Sequence, residues 1–128
     1  MNRGYKDLKV FQLAYKVSME IFELSKKFPI EEQYSLTDQI RRSSRSVAVN
    51  IGEGYRERIY PKHFVSKMSD ADGECTETMI WLDFAKDSKY INPNEFDVLC
   101  KECEEVGKML GGMMRCPEKF QPKKINQN

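Results

Sequence analysis

A chain of 128 residues, with 21 Lys and Arg against 20 Asp and Glu and a net charge of +1, has the size of one domain. A domain of that length buries about two-thirds of its unfolded surface, so it needs no disulfide or metal to be stable. No apolar stretch approaches the roughly 20 residues that cross a bilayer, so no membrane-spanning helix is expected.

In chain order, MNRGYKDLKVF has no apolar run of signal length, so a cytoplasmic protein is expected. Asp7 is the expected N-cap of a first helix that Pro29 closes. Two apolar lines run along it at helical spacing. One is Leu8, Phe11, Tyr15, Ser18 and Phe22; the other is Val10, Ala14, Val17, Ile21, Leu24 and Phe28. A face that broad must touch two neighbours. A second helix is expected from Leu36 to Gly54, with Leu36, Ile40, Ser43, Val47 and Ile51 turned inward and Asn50 within that line. Its small residues, Ser43, Ser44, Ser46, Ala48 and Gly52, permit a close approach.

Pro61 suits the first turn of a third helix, and Phe64, Met68, Ala71, Cys75, Thr78, Leu82 and Ala85 follow as a heptad seam. Asn92, Pro93 and Glu95 then supply an N-cap, a first-turn proline and a capping-box acid. The last helix should bury Phe96, Leu99, Cys103, Val106 and Leu110, weaken at Gly111-Gly112 and stop before Pro117. No segment alternates with the period of a strand. The expected fold is all-α: an antiparallel up-down four-helix bundle over residues 1–118, with a disordered tail over 119–128.

Outside the core seam of the third helix, Ser66, Ser69, Gly73, Ile80 and Phe84 form a second line. A monomer gains nothing from it, so Gly73, Ile80 and Phe84 are the expected contact in a homo-oligomer.

No catalytic, cofactor or metal site can be assembled, and an enzyme is not expected. Cys100 and Cys103 project onto the core face, and with Cys75 and Cys116 they read as free thiols in a reducing compartment. A zinc site would need four ligands in paired spacing, which Cys75, Cys116 and His63 do not complete. His63, beside Lys62, has no evident general-base partner. Asn50 and Glu53 read as a structural polar pair fastening the turn between helices two and three.

The even total charge hides a local excess. Between residues 38 and 67, Arg41, Arg42, Arg45, Arg56, Arg58, Lys62 and Lys67 outnumber Asp38, Glu53 and Glu57, whereas residues 68–107 are strongly acidic. Arginine forks suit phosphate and carboxylate alike, and Tyr55 and Tyr60 could stack on bases. The patch therefore fits RNA or DNA, a protein partner, or a solvated face whose arginines pair with acids such as Asp38.

The residues that settle on one family are Phe28-Pro29, Glu32, Tyr34, Leu36, Gln39 to Arg42, and Asn50, Ile51, Glu53 and Gly54. With DLKVFQLAYK before them and DFAKDSKYI after, the chain resembles the bacterial four-helix bundle proteins encoded in intervening sequences of 23S rRNA genes. That resemblance implies a helical bundle and, for known relatives, a ring of five subunits. It also implies kinship with the accessory protein of diversity-generating retroelements, which binds a reverse transcriptase and nucleic acid. The expected function is a non-enzymatic oligomeric scaffold that binds nucleic acid or a nucleic-acid enzyme through the basic patch. The alternative is an assembly module with no nucleic-acid binding.

Overall fold

The computed structural model describes residues 3–122. Four helices carry the fold: α1 (Lys9–Ser25), α2 (Leu36–Arg56), α3 (Pro61–Asp87) and α4 (Pro93–Arg115). Short 3-10 turns flank or link them at Gly4–Asp7, Ile30–Glu32 and Pro117–Phe120, and no strand occurs among the described residues. Each helix packs beside its sequence neighbour and α4 returns against α1. Contacts run in opposite senses along each pair. Ser43 meets Thr78 while Gly54 meets Met68, and Lys16 meets Glu102 while Lys27 meets Glu95. The bundle is therefore antiparallel, up and down.

The core follows the heptad logic. Phe64, Met68, Ala71, Cys75, Thr78, Leu82 and Ala85 are all buried on α3. Leu36, Ile40, Ser43, Val47, Ile51 and Gly54 face them from α2. On α1 the line through Val10, Ala14, Val17 and Ile21 is the buried one, and the line through Phe11, Tyr15 and Phe22 is its half-wet flank. Thr78 Oγ1 donates to Ser43 Oγ at 2.9 Å, and Ser43 Oγ donates to the Ile40 carbonyl at 3.4 Å, so the buried hydroxyls are satisfied inside the seam.

Helix ends differ in how local chemistry sets them. At α4 the capping box is complete. Glu95 N–H donates to Asn92 Oδ1 at 2.7 Å, and Asn92 N–H donates to Glu95 Oε1 at 2.9 Å. At α1 the expected cap is not used. Asp7 accepts from Arg3 instead, and Leu8 holds the N-cap position without a side-chain bond. The α2 helix runs one half-turn past Gly54, to Arg56. Gly111-Gly112 does not weaken α4, which continues to Arg115 because Leu110 and Met113 are both buried. A glycine costs about 1 kcal/mol in a helix, less than burying such a side chain contributes.

The packed unit also extends beyond residue 118. Phe120 stacks on Phe64 with ring centroids 5.5 Å apart, and Gln121 Nε2 donates to the Arg58 carbonyl. Residues 123–128 of the expected tail lie outside the described residues.

Candidate functional site

The α2 helix has an inner face of small and apolar residues, which leaves its outer face free for long polar ones. Arg41 and Arg45 lie one turn apart, and Arg42 sits on their shoulder. Arg41 is held in place: its Nε donates to Ser25 Oγ at 2.7 Å, and its guanidinium lies 4.8 Å from the Phe22 ring centroid. Arg45 reaches the same ring at 5.4 Å, and Lys26 at 4.9 Å. The π-face of Phe22 thus organises three cations at the α1–α2 junction. Ser25 is buried and donates in turn to the Phe22 carbonyl at 3.0 Å.

Arg41, Arg42 and Arg45 line a shallow groove of about 680 Å³ with Gln33, Tyr34, Thr37, Asp38, Ser46 and Val49. Asp38, the expected counter-charge, makes no ion pair with them, and none of Arg41, Arg42, Arg45 or Arg56 is in an ion pair among the described residues. Arg45 is shared with a second cleft of about 560 Å³ between α1 and α2, lined also by Tyr15, Met19, Val49 and Arg56. Arg56 lies about three turns, or 17 Å, beyond Arg45 on the same side of the helix. The arginines therefore form a track along the outer length of α2.

The other expected basic residues do not extend that track in the same manner. Lys67 Nζ is 3.4 Å from Glu53 Oε1, tying α3 to α2. Arg58 lies 4.1 Å over the Tyr55 ring and donates to its carbonyl, so Tyr55 is covered rather than available for stacking. Lys62 and Tyr60 are exposed at the start of α3. His63 has a partner that the sequence did not suggest, with Nδ1 3.0 Å from Glu57 Oε2 on the surface.

Asn50 departs from expectation. It is half-buried, and its Nδ2 donates to the carbonyl and hydroxyl of Ser46 at 2.9 and 3.1 Å, one turn back on its own helix. It makes no bond to the following turn, and Glu53 meets Lys67 on the body of α3 rather than the turn itself. Cys100 is likewise only half-buried, whereas Cys75 and Cys103 are buried and Cys75 Sγ donates to the Cys103 carbonyl at 3.3 Å. Burial, with acidic Asp83 and Glu104 nearby, pushes the Cys100 thiol up to about 11. Hydrogen bonding to Cys75 and burial push Cys103 up as well. Cys100 and Cys103 thus favour the protonated thiol, the form that is a poor nucleophile and metal ligand. Among the described residues no three His, Cys, Asp or Glu side chains converge as metal ligands.

On the far side of α3, Gly73 faces open space, and Ile80 and Phe84 are 48% and 55% exposed. Half-buried Trp81 lies 5.5 Å from the Phe84 ring and widens that apolar strip. Trp81 belongs to none of the lines read from the sequence, and Phe22, read there as part of an apolar line, also carries the cations. Tyr34, 86% exposed in the arginine groove, falls outside any helical periodicity; its one signal in the sequence is its place in the family pattern, which assigns it no contact.

Residues 6–112 match the family described as 23S rRNA-intervening sequence protein. A crystal structure from Bacteroides thetaiotaomicron VPI-5482 is similar, with a TM-score of 0.75 and 25% identity over 83% of this chain and 98% of that one. That protein is described as one of unknown function from the S23 ribosomal protein family. No curated protein matches the chain.

Proposed function

The chain belongs to the 23S rRNA-intervening sequence protein family, and from that premise we propose that it is a non-enzymatic binding scaffold that holds nucleic acid along the arginine track of α2. The observation that carries this reading is the lack of ion pairs at Arg41, Arg42, Arg45 and Arg56 among the described residues. A chain with nearly as many acids as bases could have neutralised that face. Leaving it uncompensated, with Arg41 locked by Ser25 and Phe22, keeps forked donors oriented toward an external anion.

The test is RNA binding across a salt series. For single strands the logarithm of affinity falls with that of salt by about 0.7 for each phosphate neutralised. The combined variant Arg41→Ala, Arg42→Ala, Arg45→Ala should bind more weakly and lose about two units of that slope. An unchanged affinity and slope in that variant overturns the reading.

The scaffold is further proposed to self-associate through Gly73, Ile80 and Phe84. Support comes from two large apolar side chains and an unfilled glycine on one outer face. Phe84→Asp should convert the assembly, measured by light scattering at micromolar concentration, into a smaller species. The same mass in both proteins removes the α3 contact. The rival reading, assembly without nucleic-acid binding, predicts this shift in mass with negligible affinity for RNA in the parent protein.

A further inference from the structure

We infer that the α2 groove takes single-stranded rather than duplex nucleic acid, and that Tyr34 is the platform on which an unpaired base stacks. This rests on the proposed role of the arginine track and goes beyond it by naming the form of the ligand.

Three features of the groove converge. Tyr34 lies in the link between the 3-10 turn Ile30–Glu32 and α2, and lines the same groove as Arg41 and Arg42. The residue is 86% exposed, its ring takes part in no ring pair among the described residues, and its hydroxyl makes no hydrogen bond there. Other aromatic residues near the track are engaged: Phe22 carries Arg41 and Arg45, Tyr15 packs on Phe11, and Tyr55 lies under Arg58. An aromatic side chain left mostly in water beside arginines without ion pairs gains little within this chain.

A shallow groove with a flat aromatic at one end and arginines a turn apart along its floor suits a flexible strand. Its phosphates can follow the arginines while a base turns onto the ring. A duplex keeps its bases stacked inside and offers Tyr34 only sugar and phosphate, so the exposed ring contributes little to binding it.

The experiment measures fluorescence anisotropy of a labelled RNA of about 12 nucleotides, single-stranded and annealed to its complement. The proteins are the full chain, Tyr34→Ala, Tyr34→Phe and the triple arginine variant, with poly-glutamate as an unlabelled competitor. The single strand should bind more tightly than the duplex. Tyr34→Ala should weaken it by roughly 5- to 100-fold without changing the salt slope, and Tyr34→Phe should retain the affinity. Equal binding of the two forms, or a single-strand affinity unmoved by Tyr34→Ala while the arginine variant loses it, overturns the inference and leaves the arginine reading standing. Binding of neither form, or displacement of RNA by poly-glutamate at equal charge concentration, overturns both. Because Tyr34 is exposed and outside the core, loss of binding through misfolding is checked by an unchanged helical circular-dichroism spectrum.

Discussion

The α2–α3 and α1–α4 seams are built differently. Between α2 and α3, the most extensively packed pair, the contact is made of shape. Ile40, Ile51, Phe64, Met68 and Leu82 are fully buried, and Gly54 lets α2 rest against Lys67 and Met68. Between α1 and α4 an apolar floor, with Ala14 and Val17 beside Cys103 and Val106, is edged by charge. Lys16 Nζ is 2.7 Å from Glu102, Lys27 is 3.5 Å from Glu95, and a cleft of about 760 Å³ remains between them, lined by Tyr15, Met19, Val98 and Leu99. Both seams follow a helical apolar repeat. The residues beside the repeat decide how close the helices come: serine, alanine and glycine on α2, lysine and glutamate on α1.

Breaking the first seam should produce the largest effect. Ile51→Ala removes a fully buried branched side chain, and should cost about 2–5 kcal/mol and lower the melting midpoint by roughly 10 °C. A midpoint within a degree or two of the parent would mean that the seam is loose enough to collapse around the gap.

A smaller change sharpens the comparison through sign. A Cβ at Gly54 would come within 2.8 Å of Lys67 Cβ and 2.6 Å of Met68 Cε. The methionine tip can move, but Lys67 Cβ is fixed to the α3 backbone, so the helices must part. Gly54→Ala should therefore destabilise by about 1–3 kcal/mol, despite alanine's better helix propensity. Gly73 has nothing within 4 Å of such a Cβ, so Gly73→Ala should stabilise the isolated subunit by up to about 1 kcal/mol. Urea denaturation of the two variants measures this contrast. Stabilisation by both would show that Gly54 is tolerated rather than required.

How far the sequence revealed these seams depends on how local the controlling chemistry is. The α3 repeat was fully legible, since burial on one face every three or four residues leaves its mark on each position from Phe64 to Ala85. The α4 cap was legible because Asn92 and Glu95 satisfy each other within a single turn. Asn50 was misplaced because its angle around α2 puts it beside the core line, and nothing in the pattern announces that Ser46 will accept both amide bonds. The candidate site was half legible. The arginines were evident as a cluster, but Phe22 and Ser25, which hold Arg41, come from another helix. Their role depends on the register of α1 against α2, which apolar spacing alone does not fix. Tyr34 belongs to no repeat at all.

The smallest effect concerns pH, and it separates the seams by chemistry. The interior of the α2–α3 seam holds hydroxyls and hydrocarbon, and the ion pair that edges it, Lys67 with Glu53, lies at the surface. In the α1–α4 seam, Glu20 and Glu102 each keep one buried carboxyl oxygen without a hydrogen-bond partner among the described residues. Burial first, then hydrogen bonding to Glu102 and its charge, raises the Glu20 carboxyl above its ordinary value, against the opposing pull of Lys16. A proton retained on Glu20 supplies the donor that the two carboxyl groups lack. The folded chain therefore binds more protons than the unfolded chain between the ordinary glutamate value and the raised one. That contribution to stability is complete below the unfolded value and is lost as pH rises through the folded one. Glu32 works in the opposite sense. Hydrogen bonds from Ser35 and Tyr90 lower its carboxyl, so its contribution is present above the unfolded value and is lost as pH falls through the folded one. Glu20→Gln keeps an uncharged donor at every pH. Its melting midpoint, followed by circular dichroism from about pH 4 to 8, should coincide with the parent's at the acid end and exceed it increasingly above the ordinary glutamate range. A difference that stays constant across that span would mean that Glu20 binds its proton equally in the folded and unfolded chains, and that no proton is shared between Glu20 and Glu102.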